Sequence, residues 1–149
     1  MNTYSHWDVL LASKTEPLSL SKREYQIGVM KKALQSIETA ESPSEDDWDT
    51  LSILIGMMES LRDMQLVQDP DGALNDAVVA LGKAGSRSLT GKNLRLDGPA
   101  IGLMRGILED YESVGAELPA RTMIAAHRGT EKRRQAVLEK LIRKERTTA

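Results

Sequence analysis

The sequence predicts an all-α fold, an irregular antiparallel bundle of five or six helices, on three observations. Apolar residues recur at intervals of three and four over most of the 149 positions, and no stretch holds the alternation of a strand. Aromatic residues make up 3% of the chain and phenylalanine is absent, so leucine, isoleucine, valine, methionine and alanine must fill the interior, which suits helices better than sheets. The breaks between periodic stretches carry caps, prolines and glycines. There is no internal repeat. A single helical domain over residues 1–149 would remove roughly 70% of the unfolded chain's surface from water, enough for a self-sufficient core.

Residues 1–18 form an N-terminal arm. In it "SHWDVLL" places Trp7, Val9, Leu10 and Leu11 ahead of the first firm helix. This segment is expected to dock on the bundle as core, the alternative being an arm that packs on a second copy or on another protein. Ser21 and Glu24 then have capping-box spacing, in which each side chain accepts from the other's backbone amide, and Ile27, Met30, Leu34 and Ile37 follow at helical intervals. That predicts a helix over 21–40. In "ESPSEDDWDT", Ser44 caps the next helix and the acids of its first turn favour the positive end of the helix dipole. Trp48, Leu51, Ile55, Met58 and Leu61 form its stripe, which ends near Gln65.

A turn with Pro70 leads to Asp71, the expected cap of a shorter helix marked by Leu74, Val78 and Leu81 and weakened by Gly82 and Gly85. A loop follows. Asp97 as cap and Pro99 in the first turn start a helix whose stripe is Ile101, Met104, Leu108 and Tyr111. "AELPART" turns the chain into its last segment, 119–149, with Met123 and Ile124 at one end and Val137, Leu138, Leu141 and Ile142 at the other. Between them "HRGTEKRRQ" has no strong hydrophobe, and a helix polar all round either projects into solvent or contacts something other than the core. Gly129 and Thr130 mark a break there, with Thr130 as cap of a separate terminal helix.

The net charge of −2 conceals an asymmetry. From Arg121 to Arg146 nine Lys/Arg stand against three glutamates, a local +6 that leaves −8 for the rest of the chain. Arg128, Lys132, Arg133, Arg134, Lys140, Arg143 and Lys144 are the candidate binding residues, set mostly opposite Val137, Leu138, Leu141 and Ile142. Such a face neutralises phosphates with release of counterions, or meets an acidic protein; otherwise it is a solvated outer face. The region lacks aromatics for stacking on bases, and helix-turn-helix grammar is missing.

Four other patterns fail on inspection. "GSRSLTGKN" resembles a phosphate loop, but Gly85 and Gly91 enclose five residues rather than four, Asn93 stands where Ser or Thr belongs, and the preceding stretch is helical. It is assigned as a flexible interhelical loop, in which Ser86, Arg87, Ser88, Thr90 and Lys92 could touch an anion. "DPDGALND" misses a calcium loop, because the fifth, sixth and twelfth positions are Ala73, Leu74 and Ala80. Glu45, Asp46, Asp47 and Asp49 are first-turn acids without the burial that makes acid–base pairs. His6 and His127 lack partner ligands at helical spacing, and His127 is assigned to the surface. No catalytic set, metal or cofactor is expected. Absence of cysteine excludes disulfides and thiolate sites, and the N-terminus has neither the basic start nor the apolar run of a signal peptide, so a cytoplasmic setting without membrane attachment is expected.

Two stretches, "DDWDTLSILIGMMESL" and "GKNLRLDGPAIGLMRGILEDYE", resemble small helical accessory proteins encoded by prophages and plasmids of proteobacteria. The likeness spans about Asp46 to Glu112 and carries no functional residues. What it implies is a non-enzymatic interaction protein of a phage or other mobile element, binding and inhibiting a host or phage protein complex such as a defence system. The alternative is a nucleic-acid-binding protein that uses the basic C-terminal helix. Homo-oligomerisation is left open.

Overall fold

Six helices and no strands form among the described residues: α1 (His6–Leu11), α2 (Leu20–Thr39), α3 (Glu45–Asp63), α4 (Ala73–Leu89), α5 (Gly98–Glu117) and α6 (Ala120–Thr148). The computed structural model describes residues 4–41, 43–91 and 93–148, with side chains for all of these but 138, 141, 142 and 144–148.

Helix α3 is the axis of the fold. It packs against α2, α4, α5 and α6, and its buried residues, Leu51, Leu54, Ile55, Met57, Met58 and Leu61, face more than one side. A helix apolar on most of its circumference can be placed only at the centre. Each of these side chains contributes roughly 1.5–3 kcal/mol by leaving water. Helices α2, α4 and α6 run antiparallel to it. Ser36 of α2 donates to Asp47 at the start of α3 (2.7 Å), and Trp48 Nε1 donates to the Leu81 carbonyl of α4 (3.0 Å). Helix α5 closes the ring against α2, running the opposite way, with Tyr111 beside Gln26 and Arg105 paired to Glu38.

Helix α6 lies on the remaining flank of α3. Here Gly56 lets the two backbones approach: a Cβ built on it would stand 2.6 Å from Thr130 Cγ2. Thr130 is buried, and its hydroxyl donates to the Ala126 carbonyl (2.9 Å) while accepting from Ser60 Oγ (2.9 Å). Ser60 Oγ in turn accepts from Arg133. The buried hydroxyls of Thr130 and Ser60 thus have partners, which is the condition for burying them.

Four expected boundaries shift, each for a local reason. Helix α2 is capped by Ser19, which accepts from Lys22 N (3.4 Å), so Ser21 falls inside the helix. At α4 the cap is Gly72 in the left-handed region (φ +70°), and Asp69 rather than Asp71 takes a first-turn amide, from Leu74 (3.1 Å). The expected loop after Gly85 is helical to Leu89. Gly85 is where the Trp48 ring lies against α4, 3.1 Å from a built Cβ, so packing outweighs glycine's low helix propensity. Finally, α6 runs through Gly129 unbroken, because Thr130 bonds back into its own helix instead of capping a new one. The polar stretch "HRGTEKRRQ" therefore contacts α3, and it buries His127 and Thr130. In α4 the inward position is Ala77, and Val78 is exposed.

Gly56→Ala is expected to destabilise the fold by about 1–3 kcal/mol despite alanine's better helix propensity, because Thr130 is held by two hydrogen bonds and cannot swing away. Adding Thr130→Ser, which removes the clashing methyl and keeps the hydroxyl, should recover most of the loss. Urea unfolding of the two single variants and the double variant measures the coupling.

Candidate interaction surface

The cations of α6 divide between two faces. Arg133 and Arg134 flank Thr130 and reach over α3 on either side. Arg133 donates to the Gly56 carbonyl (2.9 Å) and Ser60 and pairs with Asp63 (3.4 Å); Arg134 donates to Ser52 Oγ (3.1 Å) and pairs with Asp49 (3.6 Å). Their donors are directed into the molecule, along a groove of about 620 Å³ lined by Trp48, Ser52, Gly56 and Val137. Arg121, Arg128 and Lys132, spaced seven and four apart, share a different stripe, turned away from Thr130. Lys140 and Arg143 are exposed on the distal half of α6, and the side chain of Lys144 lies outside the described residues. The seven candidate binding residues do not make one face.

The Arg121 stripe borders α1. Ser5 and Asp8 form a capping box, with the Asp8 carboxylate accepting from Ser5 N (2.7 Å) and the Ser5 hydroxyl; these bonds, the backbone one foremost, hold the Asp8 carboxyl below its usual range. The chain then bends so that the carbonyls of Ser13 and Glu16 accept from Arg121 N (3.0 Å) and Ala120 N (2.8 Å), two first-turn amides of α6 that have no partner in their own helix. Arg121 also donates through its guanidinium to the Leu10 carbonyl, and Arg128 donates to His6 Nδ1 (3.3 Å). Among the described residues neither arginine has a carboxylate partner.

These links are polar, and they leave the apolar side chains of α1 outside. No residue of α1 is buried. Val9 and Ala12 pack inward, while Trp7 is 68% and Leu11 82% exposed and Leu10 is exposed beside them. The expectation that this segment joins the core is thereby corrected: a helix of six residues has one inward face, and small side chains occupy it. On α2, Tyr25 is 70% exposed. The start of α2 approaches the arm where Gln26 interacts with the Tyr4 hydroxyl and Lys22 lies in the field of Asp8. Of the two tryptophans and three tyrosines in the chain, Trp7 on α1 and Tyr25 on α2 are the exposed ones.

His127 lies beneath the arm, 3% exposed, which corrects its assignment to the surface. Tyr4 meets its ring edge-on, with centroids 5.1 Å apart, and neither ring nitrogen has a hydrogen-bond partner. Burial pushes its pKa down, opposed by the charge of Glu131. Tyr111, buried nearby, is pushed up to about 12 by desolvation, with the charge of Tyr4 adding to it.

The other motifs serve the fold. Asp47 closes the capping box of α3, and Asp49 faces Arg134. Ser86, Arg87 and Ser88 belong to α4; Arg87 donates to the Arg95 carbonyl and Thr90 to the Arg87 carbonyl (2.9 Å), so two of the candidate anion contacts have local partners. Lys92 lies outside the described residues. Among the described residues no group of three or more His, Asp or Glu is placed to hold a metal ion, and no helix is long and apolar enough to cross a membrane. Two participants in the surface were absent from the sequence-based set: Arg121, visible in the 121–128–132 spacing, and Tyr25. Helix α1 itself was signalled by the Ser5–Asp8 capping-box spacing.

Because the folded state holds His127 with a lowered pKa, the unfolded chain binds its proton more readily. Stability should therefore be complete above the ordinary imidazole range, about pH 6.5, and fall as the pH drops below it. Thermal melts at neutral and mildly acidic pH should show this loss, and His127→Phe should reduce it. Comparison with protein-family models, with curated proteins and with solved structures finds no match to this chain.

Proposed function

We propose that this is a non-enzymatic interaction protein whose docking surface is α1 and the adjoining start of α2. One observation carries the proposal: polar bonds hold an ordered six-residue helix in place while its Trp and Leu side chains face solvent. Trp7 and Leu11 add little to the core, so their placement calls for an explanation other than folding. Trp, Tyr and Arg together are the residue types in which interface binding energy concentrates. The likeness to accessory proteins of mobile elements makes a host or phage complex, a defence system included, the first partner to test, with inhibition following from occupation of a working surface.

A second possibility draws on a separate observation, the exposure of Lys132 and Lys140 along α6. It would make the protein a nucleic-acid binder. Arg133 and Arg134 contribute less to it than their charge suggests, since α3 already holds their donors.

The Trp7→Ala/Leu11→Ala variant should keep the wild-type circular dichroism and lie within about 0.5 kcal/mol of it in stability, because both side chains are mostly in solvent. Its capture of host proteins should drop by at least tenfold, about 1.4 kcal/mol, relative to wild type and to a Val79→Ala control on α4. Equal capture by all three proteins would refute the proposal. Mobility shifts on duplex and single strands, at low and high salt, test the alternative: a salt-sensitive shift removed by Lys132→Glu/Lys140→Glu would favour nucleic acid.

A further inference from the structure

We infer that the surface received by α1 is an acidic protein surface, one whose aspartates or glutamates surround a small apolar patch. The inference rests on α1 being the docking site and specifies the chemistry of what docks there.

Among the described residues five cations have a carboxylate beside them: Lys31 has Glu112, Arg62 has Glu59 and Asp69, Arg105 has Glu38, Arg133 has Asp63 and Arg134 has Asp49. At the α1 border, as at Arg87 and Arg95, the arginines have no such partner among the described residues. Arg121 gives its guanidinium to a backbone carbonyl and Arg128 gives its own to the His6 imidazole. Asp8, the only acid within α1, is turned back into its own capping box and is directed at neither arginine. Trp7, Leu10 and Leu11 therefore stand beside two guanidinium groups uncompensated among the described residues, with Lys132 one turn further along the same stripe.

Docking any protein over this patch takes those guanidinium groups out of water. A charge buried without a partner is strongly unfavourable, whereas a bidentate carboxylate restores the lost hydrogen bonds and adds attraction. A partner without acids is thus disfavoured here, and a partner with acids is drawn to the cations of α6 that border the arm. The chemistry of an anionic membrane overlaps in charge but not in apolar area. One tryptophan and two leucines offer about the insertable surface of a single acyl chain, which by itself holds a protein to a bilayer only marginally.

The test is a selection of peptides from a random displayed library on the immobilised full-length protein, with Trp7→Ala/Leu11→Ala as counter-selection. Enriched peptides should combine apolar residues with Asp or Glu. Their affinity should fall about tenfold in Arg128→Gln/Lys132→Gln, fall similarly at high salt, and be largely kept in Arg121→Lys, which preserves charge without testing the bond to Leu10. Peptides that depend on Trp7 and Leu11 but carry no acids would overturn this inference and leave α1 as a docking site. No peptide dependent on Trp7 and Leu11 would count against both. Tighter association with phosphatidylcholine–phosphatidylglycerol vesicles than with any selected peptide would also overturn it, in favour of a lipid surface.

Discussion

The contact on which the rest of the molecule depends is the close crossing of α3 and α6 at Gly56 and Thr130. Without a side chain at Gly56 the helices come near enough for Thr130 to be buried, and burying it requires that its hydroxyl be satisfied. Ser60 and Ala126 supply the partners, and Arg133 completes the chain by donating to Ser60 and to the exposed carbonyl of Gly56. A stretch that looks too polar for a core is thereby made to pack against the central helix. Once α6 is seated, its first-turn amides point at Ser13 and Glu16, and the arm with α1 has its place.

The proposed docking surface lies at the far end of that dependence. Helix α1 is too short to be stable alone, since a helix of six residues cannot repay the cost of its own nucleation. Its capping box, the backbone links to α6 and the two arginine contacts order it with very little apolar burial. Order obtained through polar bonds leaves the large apolar side chains available, whereas order obtained through burial would have consumed them. Tyr4 contributes the one ring that turns inward, against His127, and so joins the arm to the interior of the bundle.

Electrostatics divides the same helix into two jobs. The acidic body and the basic α6 attract one another, and on the α3 side the charges meet as Arg133 with Asp63 and Arg134 with Asp49. These pairs are partly solvated and each adds little to stability, but they orient the guanidinium groups inward and away from any external ligand. On the α1 side no carboxylate pairs with Arg121 or Arg128 among the described residues. The positive charge left over is concentrated beside the apolar patch, which makes a single surface of two features that are far apart in the chain.

The all-α class, the positions of α3 and α5 and the caps at Ser44 and Asp97 could be read from residue order, because periodicity and capping act within one turn and need no tertiary information. What residue order could not supply were the outcomes decided by contacts across the bundle. Gly85 and Gly129 look like helix breakers until Trp48 and Ser60 are seen to pack against them. His127 looks like a surface residue until the arm covers it. The basic segment reads as one face from its composition, but its division into an inward pair and an α1-bordering stripe depends on which side of α6 meets α3. That choice is made by the absence of one side chain at Gly56, a tertiary close approach that no local pattern announces.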